Sequence, residues 1–269
     1  MRWIRWCTVV LLAGCVGLPM TDSTSSRSVR PLTTSYFLGD PDLPWVEFGR
    51  SVEGRPLYQA EFGSGDDVTL IFGCFHGNER ATPDLVLRFA DYLHASPQRV
   101  GAGRRVVVVP FVNPDGYLRG TRRNARDVDL NRNYPTSNWG ERGRGKRKVY
   151  FGPHKASEPE TKAVLRLLGK YDPDKIISLH QPLHCNNSDG PAGAPLAEIM
   201  ARHNGYAVKP YIGFPTPGSF GTFAGKELGV PMVTLELPRG RPGTRAFERM
   251  WEANRDAMLA AVAYDPVEP

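Results

Sequence analysis

Val68-Thr69-Leu70-Ile71-Phe72-Gly73-Cys74-Phe75-His76-Gly77-Asn78-Glu79 changes character abruptly at Gly73. Val68 to Phe72 is a compact β-branched, aliphatic and aromatic run, with the length and composition of a buried strand. His76 and Glu79 follow within a single turn's length of chain. The same arrangement recurs downstream. Lys175 to Leu179 is a short apolar run that ends on His180, and Met232 to Leu235 is another that ends on Glu236. A fourth run, Arg105 to Pro110, reads RVVVVP.

Between these strands the periodicity changes. Ala81 to Leu93 carries Leu85, Val86, Phe89 and Leu93 at helical spacing. Further helical stretches are expected near Leu196 to His203, Gly221 to Leu228 and Ala246 to Val262. Ser157-Glu158-Pro159-Glu160 predicts a helix start in which Ser157 caps and the Glu160 carboxylate reaches back. Glu47 to Ala60 reads as a turn between two short strands, and Asn113 to Pro153 as one long loop, a length that goes with function or disorder. Strands alternating with helices define an α/β fold: a single domain with a mixed, mostly parallel central sheet and helices on both faces.

In such sheets ligands bind beyond the carboxyl ends of the strands. Three strand ends therefore offer His76, His180 and Glu236 to one crevice, with Glu79 close behind His76. Two neutral imidazoles and a carboxylate form a catalytic zinc set with a position left open. A further carboxylate that does not bind the metal is then needed to take a proton from water and pass it to the leaving amine. Glu236 suits that part. Each signal is weak alone, because His-x-x-Glu occurs by chance, a strand-end His is commonly structural, and a buried Glu can simply pair with an Arg. Their joint placement at strand ends is what carries weight.

Composition sets the outer bounds. With 41% hydrophobic and 23% charged residues the chain suits a folded domain with a sizeable core. Loss of Arg2 and Arg5 with a leader would reduce the net charge of +6 to about +4, too little for a nucleic-acid footprint. The run Arg142 to Lys148 is locally basic and reads as a solvated loop. Arg2 and Arg5 precede an apolar stretch, Cys7 to Ala13, too short to span a bilayer but suited to an export signal. Leu12-Ala13-Gly14-Cys15 resembles a bacterial lipobox, in which the Cys is acylated and becomes the mature N-terminus. The expected organisation is a lipoprotein signal peptide over 1–14, a Ser/Thr-rich tether over 15–40, and a catalytic domain over 41–269. The expected location is the cell envelope, facing the periplasm, with membrane attachment through lipid on Cys15; Val16 favours the outer membrane by resemblance to sorting patterns. Cys74 and Cys185 are the two cysteines left in the folded body, enough for one bridge and not for a stapled framework.

The long loop carries the most specific text: Arg122-Arg123-Asn124-Ala125-Arg126-Asp127-Val128-Asp129-Leu130-Asn131-Arg132-Asn133-Tyr134-Pro135. It resembles the Arg-x-Asn-Ala-x-Gly-x-Asp-Leu-Asn-Arg-Asn-Phe-Pro motif of the zinc carboxypeptidase family. The likeness takes in His76-x-x-Glu79, Ser157 to Glu160, His180 and Glu236-Leu237, and spans about Glu47 to Val262. It implies one zinc ion per chain on His76, Glu79 and His180, with Glu236 as general base. Arg122 would steady the oxyanion. Asn131 and Arg132 would grip the substrate's terminal carboxylate, and Asp129 would accept the second ring N–H of His76. Asp127 stands where the motif has Gly, which suggests a local backbone difference. The Tyr that caps the substrate in some members has no sure counterpart, Phe214 and Tyr211 both lying near its place.

His180-Gln181-Pro182-Leu183-His184-Cys185 and Thr216-Pro217-Gly218-Ser219-Phe220-Gly221 resemble the branch of the family that acts on murein peptides, at the bond between γ-D-Glu and meso-diaminopimelate. The rivals are a general carboxypeptidase releasing C-terminal amino acids, a deacylase of N-acyl amino acids, and a non-enzymatic lipoprotein that binds wall peptides. The capping text and export signal speak against the deacylase, and the intact Glu236 against the binder.

Overall fold

The computed structural model describes residues 40–141 and 150–266. The signal segment, Cys15, nearly all of the tether and the basic run Arg142 to Lys148 lie outside the described residues. The expected α/β architecture is present, with an eight-stranded mixed sheet in the order β1-β2-β4-β3-β5-β8-β6-β7. The strands are β1 (Trp45–Arg50), β2 (Pro56–Gly63), β3 (Asp67–Phe72), β4 (Arg104–Val109), β5 (Lys175–His180), β6 (Cys185–Ser188), β7 (Ala207–Lys209) and β8 (Met232–Glu236). The central pairs β4–β3, β3–β5 and β5–β8 are parallel, whereas β1–β2, β2–β4 and β6–β8 are antiparallel.

Strand alternation divides the core in two. Ile71, Val106, Val108 and Ile177 face a cluster with Phe89, Met200 and Trp251, from helices α1 (Ala81–Ala95), α4 (Gly193–Asn204) and α5 (Arg245–Ala263). Leu70, Phe72, Val107 and Val109 face the opposite way, onto Val164 and Leu167 of helix α3 (Pro159–Tyr171) and onto Tyr134 and Phe220. Both faces are thus covered, which is why these strands read as continuous apolar runs rather than as alternating ones. Among the described residues no helix is long and apolar enough to cross a membrane.

Several local expectations change. The long loop holds a helix of its own, α2 (Pro114–Arg119), with Asn113 accepting from the Gly116 N–H at 2.8 Å and Pro114 at its first position. The helix expected to be capped by Ser157 begins instead at Pro159, with no side-chain cap. Proline has no N–H to offer a cap, and Ser157 is engaged elsewhere: its hydroxyl donates to Glu158 Oε1 and accepts from Asn133 Nδ2. Gly221–Glu227 is wound as a π-helix. Strands β6 and β7 have no apolar signature, Cys-Asn-Asn-Ser and Ala-Val-Lys, and escape a periodicity reading.

Cys74 and Cys185 are both free. Cys74 follows β3 and Cys185 opens β6, and β5 and β8 lie between those strands. Three strand spacings of about 4.8 Å exceed the reach of a disulfide, whose Cα atoms lie roughly 4.4–6.8 Å apart.

Candidate active site

The first site segment leaves β3 through Gly73 and turns at Gly77, where a Cβ would lie 1.9 Å from the Gly116 carbonyl carbon. Only glycine permits this close approach to α2. The turn is closed by the Glu79 N–H donating to the His76 carbonyl at 3.1 Å, which sets both side chains side by side. His76 Nδ1 lies 2.7 Å from Glu79 Oε1. His180, the last residue of β5, brings its Nδ1 to 3.1 Å from His76 Nδ1 and 3.0 Å from Glu79 Oε2. Phe75 stacks on the His180 ring and holds its plane. All three residues are buried, and they form a group able to hold a metal ion.

The donor chemistry fits a cation there. Burial alone would raise the Asp129 carboxyl, but His76 and the guanidinium of Arg122 hold it well below its ordinary range, so it is an ionised acceptor. His76 Nε2, 3.1 Å from Asp129 Oδ1, must then carry the ring proton. That leaves the Nδ1 lone pair aimed at Glu79 Oε1, another acceptor, at hydrogen-bond distance. Two acceptors so close need a positive charge between them, either a proton or a metal. Burial would lower the His76 pKa, yet the carboxylates of Glu79 and Asp129 outweigh it and raise it. Glu79, which burial alone would push up, is drawn down to about 2 by the two imidazoles.

Glu236 sits beside this group by strand register, paired with His180 across β5–β8. It is 6% exposed, and one oxygen, Oε2, accepts from the Leu183 N–H at 3.3 Å. Burial, and then the charge of Glu79, raises its pKa above the usual carboxylate value. Arg122 reaches in from the loop, its Nε donating to Asp129 Oδ2 at 3.0 Å and its Nη1 standing 3.5 Å from Glu79 Oε1.

Arg132 is buried, and its Nη1 donates to the Asn131 carbonyl at 2.5 Å. It has no carboxylate within 4 Å among the described residues. Asn131 Oδ1 accepts from the Phe220 N–H at 2.8 Å, and its Nδ2 stands 3.3 Å from His180 Nε2. These groups line an open cleft of about 2520 Å³ that also takes in Tyr211, Phe214, Arg239 and Arg241.

The other motif residues act on the loop itself. Asn124 Oδ1 accepts from the N–H groups of Arg126 and Val128, each at 3.0 Å, and its Nδ2 donates to Glu158 at 2.8 Å. Asn133 Nδ2 donates to the Phe151 carbonyl at 2.7 Å. Asp127 has φ of +62°, the left-handed conformation that glycine favours. The loop therefore keeps a glycine-type backbone there, and the departure from the motif lies in the side chain, which pairs with Arg123 at 2.6 Å. His184 packs edge-on against Tyr206 and takes no part in the buried group.

Residues 40–183 match the family model described as zinc carboxypeptidase, a stretch that includes His76, Glu79, Arg122, Asn131, Arg132 and His180 and stops short of Glu236. The chain belongs to the zinc carboxypeptidase family. Murein peptide amidase A of Vibrio campbellii is 32% identical over 233 residues, covering 82% of this chain and 88% of that protein. The protein of the same name from Escherichia coli K12 is 34% identical over 203 residues, covering 71% and 80%. The crystal structure of murein-tripeptide amidase from Escherichia coli O157 superposes with a TM-score of 0.70 at 28% identity, over 87% of this chain and 97% of that one. This zinc carboxypeptidase-family protein is accordingly a hydrolase of the metallopeptidase type, acting on a peptide substrate.

Asp189, Thr234, Arg239 and Arg241 also face the cleft, and sequence reasoning missed them. Asp189 follows the unrecognised strand β6, so nothing local marked it as a pocket residue. Arg239 and Arg241 follow Glu236 so closely that their nearness to it was the available signal.

Proposed function

We propose that this protein is a murein peptide amidase that hydrolyses the γ-D-Glu–meso-diaminopimelate bond, using one zinc ion per chain held by His76, Glu79 and His180. The observation that carries the zinc-hydrolase part is the convergence of two Nδ1 atoms and a carboxylate beside the raised carboxyl of Glu236. The murein part rests on the two amidase relatives, matched over most of their length. The enzyme is exported and attached to the membrane through lipid on Cys15, facing the periplasm, where its substrate lies.

Zinc, when bound, supplies Lewis acidity to the scissile carbonyl and acidity to water. The protein's groups do the rest. Glu236 takes a proton from the attacking water and delivers it to the leaving amine, and its raised pKa makes it a stronger base for the first of these steps. Arg122, partly exposed at the cleft edge and held by Asp129, steadies the negative charge that develops on the carbonyl oxygen. Arg132 and Asn131 hold the free carboxylate of the residue that leaves, and Arg132 is available because no carboxylate among the described residues pairs with it. Asp129 keeps the proton of His76 on Nε2.

The test is digestion of L-Ala-γ-D-Glu-meso-diaminopimelate with the zinc-loaded protein, followed by mass spectrometry. L-Ala-D-Glu and free diaminopimelate are the expected products, and chelator abolishes them. Release of C-terminal L-amino acids from ordinary peptides, with the muropeptide intact, would make the protein a general carboxypeptidase.

A further inference from the structure

Asp189 has no part in the chemistry above, yet it faces the same cleft with Ser219, Thr222, Thr234 and Lys226. It is 7% exposed. Its Oδ1 accepts from Asn187 Nδ2 at 2.8 Å and its Oδ2 from Thr234 Oγ1 at 2.5 Å. Both donors are neutral, and no Lys, Arg or His nitrogen lies within 4 Å of it among the described residues. A carboxylate offers about four acceptor positions, so capacity remains on a buried group without an adjacent cation. Such a group is costly unless something compensates it.

The surroundings are cleared for this carboxylate. A Cβ at Gly221 would lie 2.3 Å from Asp189 Oδ1, and one at Gly225 would lie 2.0 Å from the Asp189 carbonyl oxygen. The π-helical segment Gly221–Glu227 can pass this close only because both positions are glycine. The same approach sets the next residue, Lys226, near β6: a Cβ at Gly190 would be 3.3 Å from the Lys226 Cα. Lys226 is exposed into the cleft and has no carboxylate within 4 Å among the described residues. Burial raises the Asp189 carboxyl to about 6, and Lys226 is among the groups that pull it back. One wall of the cleft therefore presents a buried acceptor and, close by, an ammonium that pairs with no carboxylate among the described residues.

We propose that Asp189 and Lys226 together read the far end of the leaving residue's side chain, Asp189 taking its ammonium and Lys226 its carboxylate. This rests on the murein reading above. Diaminopimelate carries an amino-acid group at each end. At the reacting end the amine is acylated and the carboxylate goes to Arg132; the other end presents an ammonium and a carboxylate on one carbon. A lone buried carboxylate would accept lysine equally well, whereas an opposed pair of charges selects for diaminopimelate. The two residues determine specificity and stand apart from bond cleavage.

The experiment compares L-Ala-γ-D-Glu peptides ending in meso-diaminopimelate, L-lysine or L-2-aminopimelate, the last keeping the far carboxylate without the ammonium. The wild-type, Asp189→Asn and Lys226→Met proteins are used zinc-loaded. A charge-assisted contact corresponds to roughly a tenfold effect or more. The wild type should prefer diaminopimelate at least tenfold over both others, chiefly in KM. Asp189→Asn should abolish the preference over aminopimelate, and Lys226→Met the preference over lysine, with kcat changing little in either. Should Asp189→Asn fail to fold, Lys226→Met, altered at an exposed position, still decides. Unaltered selectivity in the variants, with the muropeptide cleaved, overturns this inference and leaves the murein reading standing. If the wild type cleaves none of the three peptides, the murein reading fails, and calorimetry with free meso-diaminopimelate decides the pocket separately. Binding that weakens tenfold or more in both variants upholds the assignment; no binding overturns it.

Discussion

At the scale of single residues, the buried group around His76 is defined by a shortage of protons. Asp129 takes the one on Nε2, so the ring can give Glu79 nothing unless a cation intervenes. His76→Ala or His180→Ala should therefore lower zinc content well below one ion per chain at neutral pH, because a three-ligand site cannot spare a ligand. Elemental analysis after gel filtration reads this, and full zinc in both variants would refute the ligand set. Glu236 should behave differently. Glu236→Gln keeps the shape and the Leu183 N–H contact but cannot carry a proton, so zinc is retained and kcat falls by about 10²–10⁴. The wild-type pH profile follows from the sign of the shift. The base works deprotonated, and burial raises its pKa, so activity is lost as pH falls through a value above the ordinary carboxylate range. An acid limb below about 4.5, the unperturbed carboxyl region, would place the base elsewhere.

At the scale of elements, the loop between β4 and α3 is held by its own asparagines. Asn124 and Asn133 are buried and spend their amides on backbone groups and on Glu158. Their place in the motif is thus structural, while Arg122, Asn131 and Arg132 on the same loop face the cleft. Asp127 is a point of strain in this scaffold, since a left-handed backbone costs a non-glycine residue roughly 1 kcal/mol or more, less for Asp. Its ion pair with Arg123 is largely exposed and offsets little of that. Asp127→Gly should stabilise the protein by about 0.5–1 kcal/mol, seen as a melting temperature about 2 °C higher. A lower melting temperature would mean that the ion pair outweighs the backbone term.

At the scale of the whole molecule, the domain is expected to work tethered to a membrane. If the proposed lipid on Cys15 is the anchor, Cys15→Ser should abolish lipid labelling and move the protein from the membrane to the soluble fraction of the envelope. Unchanged membrane attachment in that variant would show that the N-terminal segment anchors by other means.

Much of the site was legible because its local signals are strong. The buried runs ending at Phe72, Leu179 and Leu235 announce parallel strands, and parallel strands bring their carboxyl ends to one crevice, so His76, Glu79, His180 and Glu236 could be read together before any coordinates. The helix start at Ser157 was misread because capping text is degenerate, and Asn133, distant in sequence, took the hydroxyl. What the amino-acid order determined alone was therefore the α/β class, the strand-end residues and the motif loop, each encoded within about a dozen neighbouring residues. The tertiary structure alone decided that Cys-Asn-Asn-Ser is a buried strand, that Cys74 and Cys185 lie three strands apart, and that Asp189 faces the same cleft as the histidines. Those outcomes depend on which strand pairs with which, and a polar strand enters a sheet through backbone hydrogen bonds to distant neighbours, which leave no periodicity in its own sequence.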